Sequence, residues 1–174
     1  MSIQKLDYFA RQSALPEIGR SGLQRLQSAK IAVVGTGGVG SAAAYFLASL
    51  GLGQLTLIDQ DIVEETNLHR LLGFDQGDLH RPKAEVLSRK IDLSHPWTRT
   101  EAIVETLRLE NCNELLDGTD LIVDGIETSG QDTSSTSFLW GTTLPISSPA
   151  RSRTRVICLC SILRGPRASS ASCL

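Results

Sequence analysis

Asp59, Asp61, Asn67, Arg70 and Lys83 place two acids, an amide and two cations downstream of a glycine-rich string, Gly35-Thr-Gly-Gly-Val-Gly40. An acid about 20 residues beyond such a string suits a ribose hydroxyl. One of Asp59 and Asp61 can take the ribose while the other orients the loop. Asn67, Arg70 and Lys83 bring hydrogen-bonding and positive groups to phosphate. A hydride-transferring enzyme needs its phosphates held still and little further positive charge. An enzyme that breaks the α–β bond of ATP must stabilise growing charge on phosphate, which calls for Arg, Lys and a metal. The glycine string and Asp59 fit NAD or FAD equally well. The downstream cations favour ATP.

The elements that must position these groups read as alternating strands and helices. Ile31 to Val34 is an apolar run suited to a buried parallel strand. Gly35 permits a tight turn. Gly37 and Gly38 remove Cβ atoms where phosphate approaches, and Gly40 lets the following helix, about 41–50, lie close to the strand. That helix presents its N-terminal amides to an anion. Gly51 and Gly53 stop it, the second as the expected C-cap. A second strand spans 55–58 and an irregular stretch 59–81. Pro82 opens a helix through Ile91 whose buried side is Ala84, Leu87 and Ile91. A third strand is expected at 102–104, a short helix at 113–116 and a fourth strand at 121–123, ending in Asp124. This alternation predicts an α/β fold with a Rossmann-like, doubly wound, mostly parallel sheet, partial in extent. Residues 1–30 read as a helical lead-in punctuated by Pro16 and by Gly19 to Gly22.

Composition bounds the rest. The 174 residues carry a net charge of −2, which points away from nucleic acid. No apolar run approaches the roughly 20 residues that span a bilayer. The N-terminal residues do not read as a signal peptide, so a cytoplasmic, reducing location is expected and the four cysteines need no disulfides. The averages conceal a break. Residues 125–174 hold 11 of the 19 serines and three of the four cysteines, with no lysine. Beyond Asp132 there are five arginines and no acid, a charge of +5; the preceding 12 basic and 19 acidic residues give −7. The chain therefore divides into a lead-in at 1–30, a nucleotide-binding domain at 31–124 and an atypical, low-order tail at 125–174.

The chain resembles the superfamily of ubiquitin-activating enzymes and the adenylyltransferases that activate sulfur carriers for thiamine and molybdopterin synthesis. The matching residues are Arg11-Gln12, Gly35 to Gly40, the D-x-D-x-V-x-x-x-N-L-x-R block from Asp59 to Arg70, and Lys83. The resemblance covers about residues 6–124, and the D-x-D…N-L-x-R block is its most specific part. It implies that Asp59 binds ribose, that Asn67, Arg70 and Lys83 contact the triphosphate, and that Arg11 reaches into the partner's site across a homodimer. The implied reaction is attack of a ubiquitin-like carrier protein's C-terminal carboxylate on the ATP α-phosphate. It gives an acyl-adenylate and pyrophosphate, with magnesium neutralising the phosphates.

The chain departs from that pattern in places. Leu71 stands where the family often has Gln. The family's D-x-x-D is Asp124-Gly-Ile-Glu127 here, which makes Glu127 the expected magnesium ligand, one methylene longer than Asp. Cys158-Leu-Cys160 is too closely spaced for a C-x-x-C knuckle, so zinc is not expected. Permitted codons for Glu127 to Phe138, read from the third base of Glu127, can spell N-F-R-T-R-Y-L-I-N-E-F, similar to the family's usual continuation. With the compositional break, this suggests a frameshift near residues 125–127 and a truncated family domain. An NAD- or FAD-dependent oxidoreductase and a non-catalytic nucleotide-binding remnant are the rival readings.

Overall fold

The computed structural model describes residues 5–108 and 110–126. Four strands, β1 (Lys30–Val34), β2 (Gln54–Ile58), β3 (Arg99–Ile103) and β4 (Leu121–Asp124), form one parallel sheet in the order β3-β2-β1-β4. This is the expected α/β, Rossmann-like arrangement. Its order reverses beside β1, between the connections to β2 and β4, which is where doubly wound sheets open a ligand crevice. Val34 is in register with both Ile58 and Asp124. The three strands therefore end level, and the segments carrying Gly35, Asp59 and Gly125 leave the sheet side by side.

Helices α4 (Gly38–Ser49) and α5 (Lys83–Ser94) pack on one face. Ile31, Val33, Leu55 and Leu57 meet Ala44, Leu47, Ala48, Ala84, Leu87 and Ile91 in one core cluster, all 4% exposed or less. Each large aliphatic buried there contributes about 1.5–3 kcal/mol. The opposite face buries fewer residues: Val34, Ile58, Leu107 and Cys112, the last from the short helix α6 (Cys112–Leu115).

Several boundaries differ from the expectation for identifiable reasons. Helix α4 starts at Gly38, three residues early, because Gly37 serves as its N-cap in extended backbone. Its stop is Gly51, at φ +76°, one residue past the C-cap Leu50; Gly53 lies further on. Strand β3 starts at Arg99, since an edge strand tolerates polar residues, and Gln54 Nε2 donates to Glu101 Oε2 at 3.1 Å across the pair. The lead-in contains α1 (Lys5–Tyr8), α2 (Ala10–Ser13) and α3 (Gly19–Ser28). Gly22 is thus buried inside a helix and does not punctuate the chain. Within 59–81 the structure has two 3₁₀ segments, Glu65–Arg70 and Gln76–Asp78. Glu127, Cys158, Cys160 and the shifted-frame segment lie outside the described residues.

Candidate functional site

The turn after β1 is held by close backbone approach. Gly35 has φ +83° and its N–H donates to Ile58 O at 2.8 Å. A Cβ on Gly40 would lie 1.8 Å from Gly35 O, so only glycine lets α4 start against the strand end. Gly125 closes the same contact from β4. Its N–H donates to Val34 O at 2.8 Å, and a Cβ there would meet Gly35 O at 2.6 Å and Gly40 Cα at 2.8 Å. Sequence reasoning passed over Gly125, whose role rests on contacts with the distant Gly35 and Gly40.

Gly37 is different, because a Cβ there would find nothing within 4 Å. No side chain caps α4, and no acid sits in its first turn. The amides of Gly38, Val39 and Gly40 have no acceptor inside the helix. Donors with no acceptor within the helix, a positive dipole end and, among the described residues, open space at Gly37 suit an anion, phosphate above all.

Asp59 follows β2 and binds back to this turn. Its Oδ2 accepts from Thr36 N at 2.6 Å and from Thr36 Oγ1 at 2.8 Å, while Oδ1 accepts from Asp61 N at 2.8 Å. Thr36 is fully buried. Sequence reasoning assigned it nothing, and its position between glycines carried no signal of a side-chain role.

The segment 60–82 folds back beside the turn. Leu72 N–H donates to Ser41 Oγ at 3.1 Å, tying the segment to the first turns of α4. Arg70 donates to Asn67 Oδ1 at 2.9 Å, and Asn67 Nδ2 donates to Glu64 Oε2 at 3.1 Å, so two expected phosphate-binding groups sit together on one exposed 3₁₀ segment. Lys83 is buried at the start of α5. Its ammonium is paired at 2.8 Å with the exposed Asp61 carboxylate, and its N–H donates to Asp61 O at 2.8 Å. Asp61 thereby orients the loop and holds Lys83.

A second polar group anchors this segment. Asp78 is 2% exposed and accepts from Asp75 N at 3.0 Å, from Arg89 at 3.2 Å and from Lys90. Hydrogen bonds from Lys90 and Gly77 N–H hold the Asp75 carboxyl below its usual range. Burial alone would lower the Lys90 ammonium, but its bonds to Asp75 and Asp78 outweigh that and raise it. Asp78 was a missed structural residue.

Arg11 is not brought to its own chain's turn. It is exposed on α2, whose next residue Gln12 donates to Ser49 O at 3.4 Å. Ser49 ends the 12-residue α4, so it lies about 16 Å from that helix's start at ~1.5 Å per residue. Among the described residues, no group of three or more His, Cys, Asp or Glu side chains could hold a metal, and no helix is long and apolar enough to cross a membrane.

Residues 9–130 match the family model described as the ThiF family. The chain belongs to the ThiF family. Its glycine turn, its 59–83 block and Gly125 all lie within the matched residues. A sulfur carrier protein adenylyltransferase from Thermus thermophilus is 37% identical over 121 residues, which cover 70% of this chain and 45% of that protein. The SAMP-activating enzyme E1 of Haloferax volcanii is 34% identical over 120 residues, covering 69% and 44%. Among solved structures, the E. coli tRNA N6-threonylcarbamoyladenosine dehydratase in complex with ATP is similar at TM-score 0.67 and 32% identity, over 74% of this chain and 53% of that one. The chain thus spans about half the length of these relatives. Membership meets the expectation of a ubiquitin-activating-type superfamily.

Proposed function

We propose that this chain is an ATP-dependent adenylyltransferase of the ThiF family that activates the C-terminal carboxylate of a ubiquitin-like sulfur-carrier protein. The observation that carries this reading is the attachment of the 59–83 block to the glycine turn. Asp59 is bonded to Thr36, and Leu72 to Ser41, which holds the segment bearing Asn67 and Arg70 beside the open α4 N-terminus. The names of the relatives point to the same chemistry, and the dehydratase neighbour holds ATP.

In this reading the amides of Gly38, Val39 and Gly40 receive phosphate in the space left open at Gly37, and Asp59 takes a ribose hydroxyl. The carrier carboxylate attacks the α-phosphorus and pyrophosphate leaves. Arg70 and Lys83 stabilise the charge that grows on the phosphate oxygens, which is where such groups lower the barrier. Each must exchange a present partner, Asn67 or Asp61, for phosphate. Magnesium bound with a nucleotide needs only one or two protein carboxylates. Asp124, buried at the end of β4, fits that requirement, and Glu127 would be the second ligand. The ion would neutralise phosphate charge. The distance of Arg11 from its own turn supports a homodimer in which it serves the partner's site. A cytoplasmic location is part of this reading.

ATP–pyrophosphate exchange tests the proposal. With candidate carrier proteins added to the full chain, carrier-dependent exchange is expected, reduced about 100-fold in Arg70→Ala. NAD binding without ATP binding would favour an oxidoreductase. Tight ATP binding with no exchange, unaltered by Arg70→Ala, would favour a non-catalytic remnant.

A further inference from the structure

We propose that Thr36 is a positioning residue that fixes Asp59 as a reader of a single ribose hydroxyl. The inference rests on the nucleotide reading above and adds a specificity determinant to it. A carboxylate oxygen has two good acceptor directions. Both on Asp59 Oδ2 are taken, one by Thr36 N at 2.6 Å and one by Thr36 Oγ1 at 2.8 Å. One on Oδ1 is taken by Asp61 N at 2.8 Å. Among the described residues, a single acceptor direction on Oδ1 is left.

An unrestrained carboxylate can turn to offer one oxygen to each of the neighbouring 2′- and 3′-hydroxyls. The Asp59 carboxylate is clamped at both ends and can accept from one of them only. Thr36 is the side chain that sets this. Its hydroxyl is fully buried and hydrogen-bonds to Asp59, which a buried hydroxyl must do or lose its hydration uncompensated. The clamp also spans two strand ends, since Thr36 follows β1 and Asp59 follows β2. The carboxylate is therefore held relative to the phosphate-facing amides as well as to the ribose.

Calorimetric titration of the full chain with ATP, 2′-deoxy-ATP and 3′-deoxy-ATP tests this. One analogue is expected to bind about tenfold more weakly than ATP, as for loss of one hydrogen bond to a charged group, and the other within about twofold. Thr36→Ser keeps the hydroxyl and is expected to keep that gap. In Thr36→Val the carboxylate keeps its bonds to the two amides but loses the hydroxyl bond that stops it turning, so it is expected to accept from both hydroxyls and the two analogues to lose affinity alike. The comparison between analogues refers to folded molecules only, so partial unfolding does not move it. Thr36→Ala carries the same measurement if the valine variant fails to fold. Equal loss for both analogues in the parent chain, or a gap that persists without the hydroxyl, overturns the role of Thr36 while leaving ATP binding intact. A parent chain that takes no ATP overturns the nucleotide reading itself.

Discussion

The turn after β1 and the segment after β2 leave the sheet level with each other, yet they are made by opposite means. The first is built by removing side chains, so that Gly35, Gly40 and Gly125 bring three backbone stretches into contact. The second is built by adding polar side chains: those of Asp59 and Asp78 each bond two or more neighbouring groups, and that of Asp61 holds Lys83. The first has no slack, because backbone cannot move aside for a methyl group. The second is a set of separable bonds, each removable at a graded cost. A shape made of absences tolerates no addition, and one made of bonds tolerates some losses.

The comparison can be broken most directly at Gly40. Gly40→Ala is expected to destabilise the fold by about 3 kcal/mol or more, through overpacking against backbone, in urea unfolding. A loss below about 1 kcal/mol would mean the turn has slack. Lys83→Ala should lower carrier-dependent exchange about 100-fold, a barrier change of about 2.7 kcal/mol. Its effect on unfolding should stay small, because the Asp61 carboxylate it releases is largely exposed. If folding collapses with activity, the two properties of the segment are not separable.

Asp78→Ala is expected to cost about 2 kcal/mol, since it strands the Asp75 amide and leaves Lys90 with Asp75 alone of its two carboxylate partners. Gly37→Ala sharpens the contrast from the other side. Its Cβ would meet open space at φ −69°, so a stability loss of under about 1 kcal/mol is expected, together with weaker ATP binding. An unchanged ATP affinity would place the phosphate elsewhere.

The smallest effect concerns His95, next to the C-terminal end of α5. Burial lowers its pKa below the usual 6.5. The folded state therefore binds fewer protons than the unfolded chain just below that value, and stability rises with pH across that interval. The contribution is complete above pH 6.5 and is lost as pH falls through the lowered value. The decline in Tm from pH 7 to pH 5 should be shallower in His95→Gln. An identical decline would assign the pH dependence to other groups.

Much of this was legible in the residues. The apolar run Ile31 to Val34, the glycines after it and the periodic Ala84, Leu87 and Ile91 each carry a local rule, and the sheet follows from their alternation. The D-x-D…N-L-x-R block marked Asp59, Asp61, Asn67 and Arg70 by type and spacing. Strand β3 was displaced because apolar runs signal buried strands, whereas an edge strand holds Arg99 and Glu101 without penalty. Thr36, Asp78 and Gly125 were missed for a different reason. Each acts through a partner that tertiary structure supplies: Asp59 for Thr36, Lys90 for Asp78, Gly35 for Gly125. No local pattern encodes a contact between residues 35 and 125.

That last contact also has a place in time. A ribosome adds roughly 5–20 residues per second. The turn at Gly35 therefore emerges several seconds or more before Gly125 and Ile126, whose backbones supply its third wall. During that interval the growing chain can carry β1, α4 and β2, but the glycine turn lacks one side. Its completion coincides with the docking of β4, so the proposed nucleotide site would be whole only when the fourth strand has been made.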